Sequence, residues 1–430
     1  MTQEAFQRVL SALAADTALW SDFLGLCDCG GRQAGSASEQ AALAFIERRL
    51  AAIDPRATRI ETAPYAGWRL QEAKLTLAES NVPLACNALL GSQSTPAGGT
   101  SAEVLDLGRG TLEQLEARAG EIPGRFVLVR HEYPFSAEHL HRRRKYGWAM
   151  ERGAAGFIIA NPHPGAGPVS GSSGRGGAAG IPAVGTDGES AARLAARDGR
   201  LPRAHLTIAG EDFEGETRFP VLELPGTGNG WVVLSAHLDG HALAESAMDN
   251  ASGAAVVLAV ARAFAPAMAG MRRGLKVCLF SAEEWALAGS RAWLDRMSAA
   301  ERSAVALNVN LDTVAGDGRL TALTSEFPAL GKFVQESAAA VGMPVGIHLP
   351  MMANSDHFNF ARHGVPALRL VAGFERPECN VRHILTGADT RDKVAPGELQ
   401  DAARLAAALV WRGLTAADEE LQRLKRLDPK

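Results

Sequence analysis

The sequence predicts an α/β protein: a mixed, largely parallel central sheet sandwiched by helices, with a smaller α/β unit inserted in the chain. Two observations carry this. From Trp231 onward, short apolar runs alternate with helical stretches. Trp231–Leu234, Val277–Phe280 and Val305–Leu311 read as strands; Gly253–Ala265, Trp285–Asp295 and Leu330–Val341 read as helices. Strands that are apolar throughout, and not alternately polar, are covered on both faces, as in a parallel sheet between helices. Between about Gly98 and Pro220 the texture changes. Phe126–Val129 is a short apolar strand, a basic helical segment follows, Gly156–Ala160 is a second strand, Ser170–Gly180 is a Gly/Ser-rich loop, Ile181–Val184 is a third strand, and Glu189–Arg197 is a helix. That order is a self-contained unit. The expected organisation is one discontinuous domain, 1–97 and 220–430, interrupted by 98–219.

The flanking elements follow local rules. Ser36–Ile53 is a helix, with Leu43, Ile46, Leu50 and Ile53 on one face and Pro55 beyond its end. Ser36 and Glu39 have the spacing of a capping box, in which the serine caps a backbone N–H and the glutamate reaches back. Arg59–Glu61 and Ala73–Leu77 read as strands. Ala402–Trp411 reads as a C-terminal packing helix, and Glu419–Lys430 as a charged, solvated tail.

Composition narrows the function. The chain has 430 residues, 47% of them apolar and 21% charged, with a formal net charge of −4. These are the proportions of an ordinary globular protein. The slight negative charge argues against nucleic acid or an anionic membrane as the main partner. The five cysteines, Cys27, Cys29, Cys86, Cys278 and Cys379, are odd in number and scattered, unlike a disulfide framework. The first twenty residues have an early Glu4 and no continuous apolar core, so they read as an amphipathic helix and not as a signal peptide. No uninterrupted apolar run reaches the ~20 residues that span a bilayer. Cytoplasmic residence is the default expectation.

Chemistry gathers at the strand ends. His237 and Asp239 follow the Trp231 strand, Glu283 and Glu284 follow the Val277 strand, and Asp312 follows the Val305 strand. In open α/β sheets ligands bind beyond the carboxyl ends of the strands, so three strands deliver these groups to one edge. Asp249, just before the helix at Gly253, can face the same place. A single strand-end carboxylate is usually a turn or helix cap, and a lone buried histidine usually a satisfied core residue. The joint pattern is different. Paired carboxylates in a confined site repel, and a cation resolves the repulsion. Histidine plus carboxylates without cysteine suits zinc, cobalt or manganese in a catalytic site. Of two consecutive glutamates, one can ligate while the other moves the proton of a water. Asp239 can accept the second imidazole N–H of His237 and fix its tautomer.

Other features read as structural. Gly226-Thr-Gly-Asn-Gly230 precedes a strand and reads as a turn, not a dinucleotide loop. His139-Leu-His-Arg-Arg-Arg-Lys145 reads as a solvated helix face. No His-Glu-x-x-His pattern is present, which argues against a single-zinc helix protease.

The ordered motifs Ala-His237-Leu-Asp239, Met-Asp249-Asn-Ala-Ser-Gly, Ser-Ala-Glu283-Glu284, Asn-Leu-Asp312 and Ser-Asp356-His357 resemble those of the co-catalytic zinc peptidases. That family includes bacterial leucine aminopeptidases, glutamate carboxypeptidase and the non-catalytic transferrin receptor. The likeness covers about Ser36 to Val394. The inserted unit, with Gly124-Arg-Phe-Val-Leu-Val, Arg152-Gly-Ala-Ala-Gly-Phe and Gly180-Ile-Pro-Ala-Val, resembles the protease-associated domain many members carry. The resemblance implies the zinc exopeptidase fold and two zinc ions, with cobalt or manganese as substitutes. It makes Asp249 the bridging ligand, His237 and Asp312 ligands of one ion, Glu284 and a late histidine ligands of the other, and Glu283 the general base acting on a water between the metals. The family's last ligand lies in a His-Thr-x-x-Asp-Thr motif. Here the text is His383-Ile-Leu-Thr-Gly-Ala-Asp389-Thr, with wider spacing, and His383 takes the role. Asp356 and His357 stand behind the ligands. Arg382 stands where members often place a tyrosine that stabilises the oxyanion. A guanidinium can supply that charge, or clamp a substrate carboxylate. The implied activity is an aminopeptidase acting on peptides, with a carboxypeptidase, a dipeptidase, an aminoacyl cyclase or an inactive binding module as alternatives. Shaping the substrate entrance or forming a homodimer are the two roles open to the insert.

Overall fold

The structure is a computed structural model describing residues 3–175, 179–196 and 199–425. The chain divides into two compact units. The first comprises Met1–Tyr65, Glu216–Val381 and Asp389–Lys430; the second comprises Ala66–Gly215 with Arg382–Ala388. The second unit therefore starts before the expected insert at 98 and also takes in a short late segment. The physical reason is two long strands, Thr58–Leu77 and Arg203–Leu224, that run out of one unit into the other. The sequence suggests only two short pieces of the first strand and none of the second, because Glu, Gly and Thr interrupt their apolar pattern.

In the first unit the strand order is Gly346–His348, Leu320–Leu323, Ala367–Ala372, Val305–Leu311, Trp231–His237, Gly274–Phe280 and the end of Arg203–Leu224. The central pairs are parallel: Val309 lies opposite Leu234 and Leu368, and Val277 lies opposite Leu234. The Leu320 strand and the Arg203 strand pair antiparallel, giving a mixed, largely parallel sheet. One face packs on the helices Ser252–Phe264 and Pro396–Thr415, with Gln3–Ala14 and Ala18–Asp28 outside them. Twelve of the thirteen residues of Ser252–Phe264 are buried, which explains why it is apolar all round. The stretch 247–270 is long and apolar enough by composition to cross a membrane, but much of it forms the core of this unit. On the opposite face Phe219, Val233, Phe280, Trp293 and Phe360 form one buried cluster that seats the helices Ala288–Arg296 and His357–Ala361. Each such side chain removed from water contributes roughly 1.5–3 kcal/mol.

Local expectations hold in part. Ser36 Oγ caps the helix Ala37–Ile53 by accepting the Glu39 N–H at 3.2 Å. Glu39 does not reach back to Ser36. Its carboxylate is buried and accepts the Gly35 N–H at 2.6 Å, the Thr217 hydroxyl at 2.7 Å and the Ser281 hydroxyl. Burial lifts its pKa, against those three donors. The tail is also less solvated than its charges suggest: Asp418–Leu424 is a helix with Leu421 and Leu424 buried, while 426–430 lie outside the described residues.

The second unit has its own sheet. Thr100–Asp106, Phe126–Arg130, Gly156–Ala160 and Ala183–Thr186 are successive parallel strands, with Cys86–Ala88 antiparallel at one edge and Arg203–Leu206 at the other. The expected helix from Glu189 is Gly188–Arg193; Arg197 lies outside the described residues. The basic segment is a solvated face only in part: Arg143 and Arg144 are exposed. In the helix Arg142–Glu151, Arg142 and Lys145 are buried. The Lys145 ammonium donates to the Arg130 carbonyl and pairs with Glu132, and Arg142 Nε donates to the Ser172 carbonyl at 2.8 Å.

Candidate metal centre

The site is built where three parallel strands of the first unit end. His237 is the last residue of its strand and is buried. Its Nδ1–H donates to the backbone carbonyl of Asp239 at 3.0 Å, which fixes the tautomer and turns Nε2 outward from the strand. Nε2 lies 3.1 Å from Asp249 Oδ1 and 3.4 Å from Asp312 Oδ1. One candidate donor atom each from His237, Glu283 and Asp312 fall within 4.8 Å of one another.

Asp239 acts differently from the expectation. Its carboxylate stands 3.7 Å from His237 Nδ1, too far for a hydrogen bond. It accepts instead the backbone N–H groups of Glu283 at 3.0 Å and Glu284 at 3.1 Å. One carboxylate thereby ties the His237 loop to the two glutamates. Asp239→Asn replaces an acceptor oxygen with an amide that opposes one of these N–H groups. It is expected to lower zinc affinity about 10–100-fold, measured by competition with a chelator. Unchanged affinity would mean that this clamp does not set the donor positions.

The loop after Phe280 is strained. Ala282, Ala286 and Leu287 all have positive φ, at 56°, 63° and 59°. The expected helix therefore starts late, at Ala288. Non-glycine residues in this region persist where surrounding contacts impose them. Here those contacts are the Asp239 clamp and the bond from Ser281 to Glu39.

Asp249 precedes the helix Ser252–Phe264 in a non-helical conformation. Its N–H and that of Met248 donate to the Asp389 carboxylate at 3.3 and 2.8 Å. Asn250 ties the same turn to the third strand, donating to the Leu311 carbonyl at 2.9 Å and accepting the N–H groups of Gly253 and Thr313. Asp312 then follows directly on Leu311, and a neutral ladder of Ser235, Asn308, Asn310 and Ser355 lies behind it.

Electrostatics matches the crowding. Burial raises the pKa of Asp249, and Asp312 and Glu284 add to it. Burial likewise lifts Glu283 well above the carboxylate range; His237 opposes this and Glu284 reinforces it. For His237 burial favours the neutral ring, but Asp312 and Glu283 override it and raise the pKa well above its usual value. Asp312 goes the other way. Burial opposes the shift, yet the Arg369 guanidinium and His237 hold it well below the usual range. Arg369 lies 3.1 Å from Asp312 Oδ1 and donates to the Asn354 carbonyl at 2.9 Å. Its strand, Ala367–Ala372, was not read from the sequence. Four carboxylates and a histidine held in one buried place match the donor chemistry of a zinc site.

The remaining candidates are placed as follows. Asp356 is buried and accepts the Ser290 hydroxyl at 2.5 Å; burial pushes its pKa up to about 7. His357 is buried, and burial brings its pKa down to about 3. Arg382 and His383 belong to the second unit, where the His383 ring meets His163 at 6.4 Å. Sequence reasoning missed His241, whose Nε2 is 2.8 Å from Glu284 Oε1. It also missed Arg32, which is buried and donates to the carbonyls of Leu238, Glu245 and Ser246 at 2.8, 2.6 and 2.7 Å.

The chain is similar to known proteins in sequence and fold. Residues 221–410 match Peptidase family M28, and residues 73–194 match the PA domain. The chain carries an M28 peptidase domain with an inserted PA domain. The M28 domain is that of a metallo-exopeptidase, and the family implies zinc. Aminopeptidase YwaD of Bacillus subtilis (strain 168) is 24% identical over 348 residues, 79% of this chain and 72% of that protein. Leupeptin-inactivating enzyme 1 of Streptomyces exfoliatus is 27% identical over 179 residues, and that match spans only 41% of either chain. Among solved structures, a Peptidase M28 precursor from Shewanella amazonensis SB2B superposes with a TM-score of 0.82 at 22% identity, covering 100% of this chain and 99% of that one. The zinc aminopeptidase BSAP from Bacillus subtilis gives 0.73 at 23% identity, covering 93% and 95%. These structural likenesses show that the M28 domain and its insert share a common fold with them.

Proposed function

We propose that this chain is an aminopeptidase that uses two zinc ions to hydrolyse the N-terminal residue from peptides. The observation that supports it most is the meeting of His237 Nε2 with Asp249 and Asp312 at 3.1 and 3.4 Å, with Glu283 alongside. That the curated relative sharing most of its length is an aminopeptidase points the same way. In this reading Asp249 would be shared by both ions, His237 and Asp312 would hold one, and Glu284 with a histidine would hold the other. When bound, zinc polarises the scissile carbonyl and stabilises the charge that develops on its oxygen. Glu283 takes the proton of the attacking water and returns it to the leaving amine. Asp239 orients Glu283 and Glu284 through their backbone N–H groups. The roles of Arg382 and His383 rest on the resemblance alone.

The test is hydrolysis by zinc-loaded protein of aminoacyl chromogenic amides, and of peptides blocked at either end. Release of residues from free N-termini, and none from N-blocked peptides, is the expected result. Cleavage of N-blocked peptides with a free carboxylate would move the reading to a carboxypeptidase or dipeptidase and give Arg382 the substrate's carboxylate. Zinc binding without hydrolysis of any of them would make the chain a binding module.

A further inference from the structure

We infer that His241 is a metal-binding residue of this site, paired with Glu284 at the second zinc position. This rests on the metallopeptidase reading above. His241 stands two residues after Asp239, in His237-Leu-Asp239-Gly-His241, and its side chain is buried. Its Nε2 lies 2.8 Å from Glu284 Oε1. This repeats what is seen at the other position, where His237 Nε2 faces Asp249 and Asp312. Asp249 interacts electrostatically with Glu284 as well as with Asp312 and His237. The first unit thus holds two histidine–carboxylate groupings, His237 with Asp249 and Asp312, and His241 with Glu284.

The loop that carries His241 is fixed as a metal ligand requires. Arg32 holds the carbonyls of Leu238 on one side of it and of Glu245 and Ser246 on the other. The His241 N–H donates to Ser246 Oγ at 3.0 Å. Its carbonyl packs on Gly31, where a Cβ would come within 1.9 Å of the oxygen. Any side chain at position 31 would displace the loop. The late motif points the same way. Its Thr386-Gly-Ala-Asp389-Thr390 matches the family pattern from the threonine onward, which puts Leu385, a side chain without a donor, in the histidine's place. Leu385 itself is tied into the second unit, its carbonyl accepting the Ser170 N–H.

A buried ion pair joining two loops is the competing account of His241 and Glu284, and metal content separates the two. The full chain and its His241→Asn and His383→Asn variants are loaded with zinc, dialysed and analysed for metal, and then reloaded with cobalt for its visible absorption. The wild type is expected to hold about two equivalents. His241→Asn is expected to fall to about one, with a changed cobalt spectrum, and His383→Asn to keep two. Two tightly held equivalents in His241→Asn would overturn the assignment, as would loss of one in His383→Asn alone. If His241→Asn does not fold, His241→Asp decides. An aspartate ligand is rescued by zinc, so its melting temperature rises by at least as much on loading as that of the wild type. In a purely structural pair, the added negative charge beside Glu284 destabilises the fold and zinc restores none of the loss. A wild type that takes up no zinc would fail the metallopeptidase reading itself; two equivalents in both wild type and His241→Asn would fail only the role of His241.

Discussion

Glu283→Gln is expected to lower kcat about 100- to 10,000-fold, with KM and zinc content close to the wild type. The substitution keeps the shape of the side chain and removes its ability to accept a proton. The backbone clamp from Asp239 acts on the Glu283 N–H and survives the change. Burial, then the neighbouring Glu284, Asp312 and Asp356, raise the Glu283 pKa against the pull of His237. A carboxyl so placed is a strong proton acceptor once ionised, as a base that must hold a water proton requires. Steady-state kinetics on an aminoacyl amide and metal analysis of the same preparation check this together. Activity within a few-fold of the wild type would remove Glu283 from the proton transfer. Loss of zinc in parallel would make it a ligand.

The second large effect is on stability. Arg32→Met is expected to cost about 3–5 kcal/mol, the scale for breaking a buried charged contact. The guanidinium is buried and donates to five carbonyls, those of Leu26, Gly30, Leu238, Glu245 and Ser246. Methionine fills much of the volume and leaves those oxygens without a donor. Burial also lowers the Arg32 pKa, the mark of a cation held among dipoles in place of water. Urea unfolding of the apo protein measures the loss. Zinc at 100 times its Kd should return up to about 2.7 kcal/mol by mass action, less where the loosened loop weakens binding. A loss below ~1 kcal/mol would mean that water reaches the loop and satisfies its carbonyls.

How much of this could be read from the sequence depends on the range of each interaction. The placing of His237, Asp312 and the two glutamates at one edge of the sheet was legible because an apolar strand followed by a polar side chain is a local pattern. Asp249 was legible because it precedes an apolar helix. Asp239 was found and given the wrong partner, since spacing alone suggests the imidazole and the structure supplies two N–H groups 44 and 45 residues away. Glu39 misled in the same way. Its capping-box spacing is real, but a buried carboxylate takes the strongest donors it meets, one of them Ser281, 242 residues on. Arg32 and Arg369 gave no local sign of burial, because charge and length alone predict an exposed residue. The one hint for Arg32 was the preceding Gly30-Gly31, which marks a close backbone approach. His241 was passed over because the motif around it already had a histidine in use.

Arg32 and Glu39 are seven residues apart, at the mouth of the helix Ala37–Ile53. One holds the loop that carries His241 and leads to Asp249; the other holds the Ser281 end of the loop that carries Glu283 and Glu284. The N-terminal segment supplies no donor to zinc, yet it sets the spacing between ligands and base. A version of this chain begun after Arg32 would keep every residue of the site and lose one arm of the caliper that spaces them.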